Sequence, residues 1–131
     1  MSPKTRLLIA VFLGGCIGTL LRAAAARHWV TDYGVWPWPT FIANLVGALA
    51  LGAVSEWWAE HHDQRSLLGG GLCGALTTFS TFQLELLHML DDGLYFLALG
   101  YAGASLLLGF RLASIGRRLV DHPRSPRRAG T

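Results

Sequence analysis

The sequence predicts an all-α membrane protein of four transmembrane helices with a break in the third. Three observations carry this: long apolar runs joined by short polar connections, basic residues gathered at the chain ends, and tryptophans where the runs stop. Of 131 residues, 52% are apolar and 15% are charged, against about a quarter charged in soluble domains. Lys4 and Arg6 stand in front, and Arg117, Arg118, Arg124, Arg127 and Arg128 behind. Gathered in tails, they make no basic stripe on a folded surface, which argues against nucleic-acid binding. A basic C-terminal tail suits contact with anionic lipid headgroups.

A bilayer core of roughly 30 Å takes about 20 apolar helical residues to cross. The first run spans residues 7–26, interrupted by Arg22, and the second spans 38–57, with Asn44 inside. The third spans 67–90 and is polar in its middle; the fourth spans 94–115, with Arg111 near its end. Connections at 28–37, 59–66 and Asp91-Asp92-Gly93 hold most of the remaining charge and turn chemistry. Trp29, Trp36, Trp38, Trp57 and Trp58 lie at run ends, where amphipathic rings favour the headgroup layer. Residues 1–116 are read as one transmembrane domain and 117–131 as a basic tail, expected to be disordered and cytoplasmic.

A soluble bundle is the plain alternative, but four near-continuous apolar runs leave no polar outer face. The first run also has the charge, apolar stretch and small residues of a signal peptide. Three later spans and the packing glycines Gly14, Gly15 and Gly18 favour a retained helix. Small residues recur four apart at Gly14/Gly18, Ala43/Gly47, Ala48/Gly52, Gly70/Gly74 and Ser105/Gly109. Such patterns let helix backbones approach closely in lipid. Cys16 and Cys73 make no CxxC and are read as buried thiols packing as small hydrophobes.

Polar groups inside a span are costly and point to function. The chain offers Arg22, Asn44, Glu56, Thr77 to Thr81, Gln83, Glu85, His88, Ser105 and Arg111. Glu56 and Arg111 are near enough to the ends to snorkel; for Arg22, snorkelling and anion attraction both stay open. The third run holds Gly69-Gly70-Gly71, Gly74 and Thr77-Thr78, poor helix-forming material. A break there frees backbone groups that must meet protein, water or an ion. Freed carbonyls suit a cation, and freed N–H groups and hydroxyls suit an anion. A kinked helix whose threonines bond back to their own backbone fits the same residues. Phe79, Phe82, Glu85 and His88 follow at steps of three, roughly on one helix face. Two phenylalanines so spaced usually pack, yet their ring edges carry positive quadrupole. With Ser80 and Thr81 they make a lining for a small hydrated anion.

At this point the sequence resembles a known family. Gly14-Gly15-Cys16-Ile17-Gly18-Thr19-Leu20-Leu21-Arg22 is similar to the GGxxGxxxR opening of the CrcB/Fluc fluoride channels. Thr40 to Gly47 resembles their TxxxNxxG stretch, and Gly74 to Phe82 their most specific motif, a GGLTTFSTF-like break. Ala75, Pro39 and Ala43 depart from the pattern at packing positions. The resemblance implies an antiparallel dimer with two fluoride pathways and passive fluoride export that relieves toxicity. It implies a central structural sodium ion (Na+) held by the carbonyls of Gly74 and Thr77. Asn44, Phe79 and Phe82 would line the fluoride path, with Ser80 and Thr81 beside it. Glu85 would stand near a pore mouth, and Tyr101 and Ser105 would supply polar groups from the fourth span. Arg22 joins this set as a candidate attractor of anions.

The charge pattern adds orientation. With four spans, both termini and the middle loop share a side, which collects Lys4, Arg6, Arg65 and most tail arginines. The opposite loops offer Arg27, and acidic residues contribute little to orientation. One fixed insertion in the inner (cytoplasmic) membrane is expected, both termini cytoplasmic. The partner is then an oppositely oriented homologous subunit; a dual-topology dimer with itself is the alternative. Among rivals, a small four-helix proton-coupled multidrug or cation exporter needs a membrane carboxylate, typically in its first span. The first span here holds Arg22 and no acid. A non-transporting assembly subunit would tolerate a degenerate pore, whereas Asn44 and Phe79 to Phe82 are all present. Enzyme function finds no nucleophile–base pair, and His61-His62 lies in an expected solvated loop.

Overall fold

A computed structural model describes residues 2–29, 34–57 and 62–120. Helix α1 runs from Pro3 to His28. Ser2 caps it, its Oγ accepting from the Thr5 N–H at 3.2 Å, and Pro3 adds a preset φ in the first turn. Helix α2 runs from Trp38 to Trp57. The next run is composite: α3 (His62–Arg65), a π-helical stretch (Ser66–Cys73), α4 (Gly74–Leu76), then α5 (Phe79–Asp91). Helix α6 extends from Tyr95 to Val120. Helices α1, α2 and α6 are each long and apolar enough to cross a membrane.

Helix α6 is longer than the fourth apolar run. It carries Arg117 and Arg118 in its last turn, so the boundary expected at residue 116 falls inside a helix. The rest of the expected tail, residues 121–131, lies outside the described residues, as do Trp58 and His61. The Asp91-Asp92-Gly93 turn closes α5 with a paired cap. Gly93 N–H bonds to the Leu90 carbonyl at 3.1 Å and Leu94 N–H to the Met89 carbonyl at 2.7 Å. Gly93 takes φ 74°, the left-handed conformation this cap requires.

The helices pair through glycine. A Cβ on Gly52 would overlap the Ala113 carbonyl, and one on Gly116 the Leu49 carbonyl oxygen, so α2 and α6 meet backbone to backbone. Likewise Gly14 and Gly18 leave room for the carbonyls of Leu67 and Leu72, and a Cβ on Gly71 would stand 2.7 Å from the Val11 oxygen. Helix α1 therefore lies directly on the π-helical stretch. Of the five small-residue pairs, two make no such contact among the described residues: Gly70 and Gly109 have open space around them, and Gly74 nearly so.

The buried cluster is small and aromatic: Phe41, Phe82, Met89, Ala98 and Tyr101, with Trp36, Leu45 and Leu94 packed against it. Trp36 is thus not a simple headgroup-layer ring. It meets Phe41 and Tyr101 edge-on, with centroids 5.2 and 5.4 Å away. Trp29, Trp38 and Trp57 are exposed, as terminal rings should be. Most large apolar side chains face outward, Phe96 at 94% exposure being extreme. An apolar exterior around a small core is an exterior made for lipid. Cys73 is buried as expected, whereas Cys16 is exposed. The reason is spacing: Gly14 and Gly18 occupy the contact face of α1, which turns Cys16 between them away.

Candidate functional site

Between Leu76 and Phe79 the chain leaves the helix. Thr77 (φ −74°, ψ 148°) and Thr78 (φ −140°, ψ 117°) are extended. Asn44, from the middle of α2, brackets the freed Thr78 backbone. Its Oδ1 accepts from the Thr78 N–H at 2.8 Å, and its Nδ2 donates to the Thr78 carbonyl at 3.3 Å. Gly47, one turn on, permits the approach, since a Cβ there would overlap Thr77 Cγ2. Thr78 is buried at 9% exposure, so water does not serve in place of Asn44.

The two threonines divide the alternatives between them. Thr77 bonds back to its own helix, its Oγ1 donating to the Cys73 carbonyl at 3.0 Å and reaching the Gly74 carbonyl at 3.4 Å. Thr78 instead starts a new helix. Its Oγ1 accepts from the Thr81 N–H at 3.2 Å and donates to Thr81 Oγ1 at 2.9 Å. Ser80 Oγ lies 3.5 Å from the same hydroxyl. Arg22 neither snorkels freely nor stands among these hydroxyls. Its Nε donates to the Ala75 carbonyl at 3.2 Å, which ties α1 to the last turn before the break.

Beyond the break, Phe79 and Phe82 stack with centroids 6.2 Å apart and planes 27° apart. Only Phe82 is buried; Phe79 is 70% exposed. A step of three residues falls about 60° short of a full turn, so the row Phe79, Phe82, Glu85 and His88 winds around α5. Phe82 meets Tyr101 of α6 at 5.1 Å. Tyr101, fully buried, donates its hydroxyl to Glu85 Oε2 at 2.7 Å. Thr40 Oγ1 donates to Glu85 Oε1 at 2.5 Å. Glu85 is therefore a half-buried bridge that joins α2, α5 and α6. Ser105, one turn after Tyr101, has a buried Oγ without a hydrogen-bond partner.

The structure brings Asn44, Ser80 and Thr81 to the Thr78 break, and Phe82, Glu85 and Tyr101 into one cluster. Phe79 touches Phe82 from outside. Sequence reasoning placed Thr78 in the break without giving it the N-cap of α5, read Trp36 as a headgroup-layer ring, and gave Thr40 no role of its own. Thr40 could have been found, because Thr40 and Asn44 stand one helical turn apart on α2. Among the described residues no group of three His, Cys, Asp or Glu side chains could hold a metal.

Fold and site together define an α-helical membrane protein with an interrupted helix lined by hydroxyls and aromatic rings. Residues 9–117 match the family described as CrcB-like protein, Camphor Resistance (CrcB). The chain belongs to that family. It is 42% identical to the fluoride-specific ion channel FluC 1 of Mycobacterium bovis, over 91% of this chain and 93% of the relative. Its identity to the fluoride-specific ion channel FluC 2 of Nocardia farcinica is 41%, covering 77% and 75%. The corresponding FluC 1 protein of Staphylococcus aureus strain NCTC 8325 is 37% identical, covering 85% and 93%.

Proposed function

We propose that this chain is a subunit of a fluoride-selective channel that releases fluoride passively from the cell and so limits its toxicity. The bracketed break carries the reading. Asn44 holds Thr78 extended, which sets Ser80, Thr81 and the Phe79–Phe82 pair at the start of α5. Hydroxyls and ring edges can replace part of a small anion's hydration without a fixed cation to trap it. The unpartnered Ser105 hydroxyl, one turn from Tyr101, suits the same path. The relatives' names as fluoride-specific channels support the substrate.

The composite run from α3 to α5 is the third of four crossings in this reading, broken at Thr77 and Thr78. A second subunit, inverted relative to the first, covers Phe79 and the open surface beside Gly70 and Gly74. The carbonyls of Gly74 and Thr77 are hard oxygen donors of the kind that suit a small cation. The single long contact from Thr77 leaves the Gly74 oxygen room for a sodium ion at the dimer centre. Such an ion would fix the two breaks against each other; the anion path belongs to the side chains above. The inner membrane, with both termini cytoplasmic, follows from the charge pattern, and that fixed orientation favours an unlike partner.

The exporter reading is not favoured. Helix α1 has no acid between Pro3 and His28, and Glu85 is engaged by two hydroxyls. The deciding experiment is fluoride efflux from liposomes, with the protein alone and with an oppositely oriented homologue. Selective efflux over chloride, lost in Phe82→Ile, is expected from one preparation. Absence of fluoride efflux from both would overturn the channel reading.

A further inference from the structure

A second polar site lies at the far end of α2 and α6. Glu56 of α2 and Ser114, Arg117 and Arg118 of α6 line a cavity of about 290 Å³. Gly116 builds it: its lack of a Cβ brings the last turns of α6 onto the Leu49 carbonyl and the Ala53 nitrogen. The two arginines that follow are thereby held beside the end of α2. Trp57, adjacent to Glu56 and 65% exposed, marks this level as the headgroup layer.

The lining states the ligand's chemistry. Two guanidinium groups present forked donors suited to phosphate oxygens. Among the described lining residues one carboxylate stands against two guanidinium groups, a net of one positive charge. That matches the one negative charge of a phosphodiester better than the two of free phosphate. Ser114 already donates its hydroxyl to the Phe110 carbonyl at 2.9 Å, so toward a ligand its oxygen accepts. Glu56 is an acceptor as well. Acceptors beside the arginines suit hydroxyl groups carried on the phosphodiester.

We propose that this cavity binds the headgroup of an anionic, hydroxyl-bearing phospholipid, phosphatidylglycerol by chemistry. The site is independent of the ion path, and its failure leaves the channel reading untouched. Binding there would hold α6 against α2 and set the depth of this end in the membrane.

The test is lipid retention by the purified full-length protein in detergent, measured by native mass spectrometry. Phosphatidylglycerol, phosphatidylmethanol and phosphatidylcholine are supplied at equal concentration. Wild type is expected to retain phosphatidylglycerol about tenfold over phosphatidylcholine, and also over phosphatidylmethanol, which lacks the glycerol hydroxyls. Arg117→Gln with Arg118→Gln should abolish the preference, while Arg111→Gln, outside the cavity, should keep it. Circular dichroism checks that each variant retains its helices. Equal retention of all lipids, or equal losses in the Arg111 variant, would overturn the proposal. Millimolar inorganic phosphate displacing the lipid completely would assign the site to free phosphate and overturn the lipid assignment.

Discussion

Replacing Asn44 by Ala tests the whole account of the break. The substitution deletes the acceptor of the Thr78 N–H and the donor to its carbonyl, at 2.8 and 3.3 Å. Side-chain hydrogen bonds between membrane helices average only about 0.6 kcal/mol, because the separated helices find other partners. The Thr78 peptide has no such freedom. It is buried and extended, with no helical neighbour to accept its proton, and an unsatisfied buried donor costs about 1–3 kcal/mol. The second bond is long and adds about 0.5 kcal/mol. The expected loss is therefore about 1.5–3.5 kcal/mol, several times a typical interhelical bond. Denaturant titration in mixed micelles, followed by tryptophan fluorescence, measures it. Fluoride efflux from liposomes should fall together with stability. A stability change below about 0.5 kcal/mol would refute the reasoning, because Asn44 would then not be what holds Thr78 extended.

Other expectations separate contact from open space. Gly52→Ala and Gly116→Ala each drive a methyl into a backbone carbonyl and should cost about 1–3 kcal/mol. Gly109→Ala has open space and should gain about 0.5–1 kcal/mol of helix propensity, read in the same titration. Ser105→Ala removes a hydroxyl with no partner, so it should leave stability within about 0.5 kcal/mol while slowing fluoride efflux.

Much of this architecture is legible in composition and spacing. The long apolar runs mark α1, α2 and α6 to within a few residues, and Asp91-Asp92-Gly93 marks the cap between α5 and α6. Glycine spacing announces close helix contacts but not their partners, because a GxxxG face reads the same whichever backbone it meets. So Gly14 and Gly18 lie on the π-helical stretch, while Gly109 meets nothing among the described residues. Cys16 looks buried by composition and is not, because apolar surroundings in lipid do not imply a protein core. Arg22 is invisible in another way. A charge in a span suggests an end or an ion, whereas here it finds a main-chain carbonyl 53 residues on. Glu85 has the same difficulty, since its two hydroxyl partners come from different helices.

The glycine contacts also fix an order of assembly. Helices α1 and α2 are made first and are neighbours in the chain, yet neither has the other as its main partner. The carbonyls that fit against α1 belong to Leu67 and Leu72, and those that fit against α2 and α6 link Gly52 with Ala113 and Gly116 with Leu49. The two earliest helices therefore enter the bilayer before their permanent neighbours have been synthesised. The glycine face of α1 waits in lipid until Leu67 and Leu72 are made, and Gly52 of α2 waits until Ala113 is. Any nascent chain stopped before Ala113 lacks one side of the α2–α6 seam. Such truncated products are material for membrane quality control, whatever the state of the ion path.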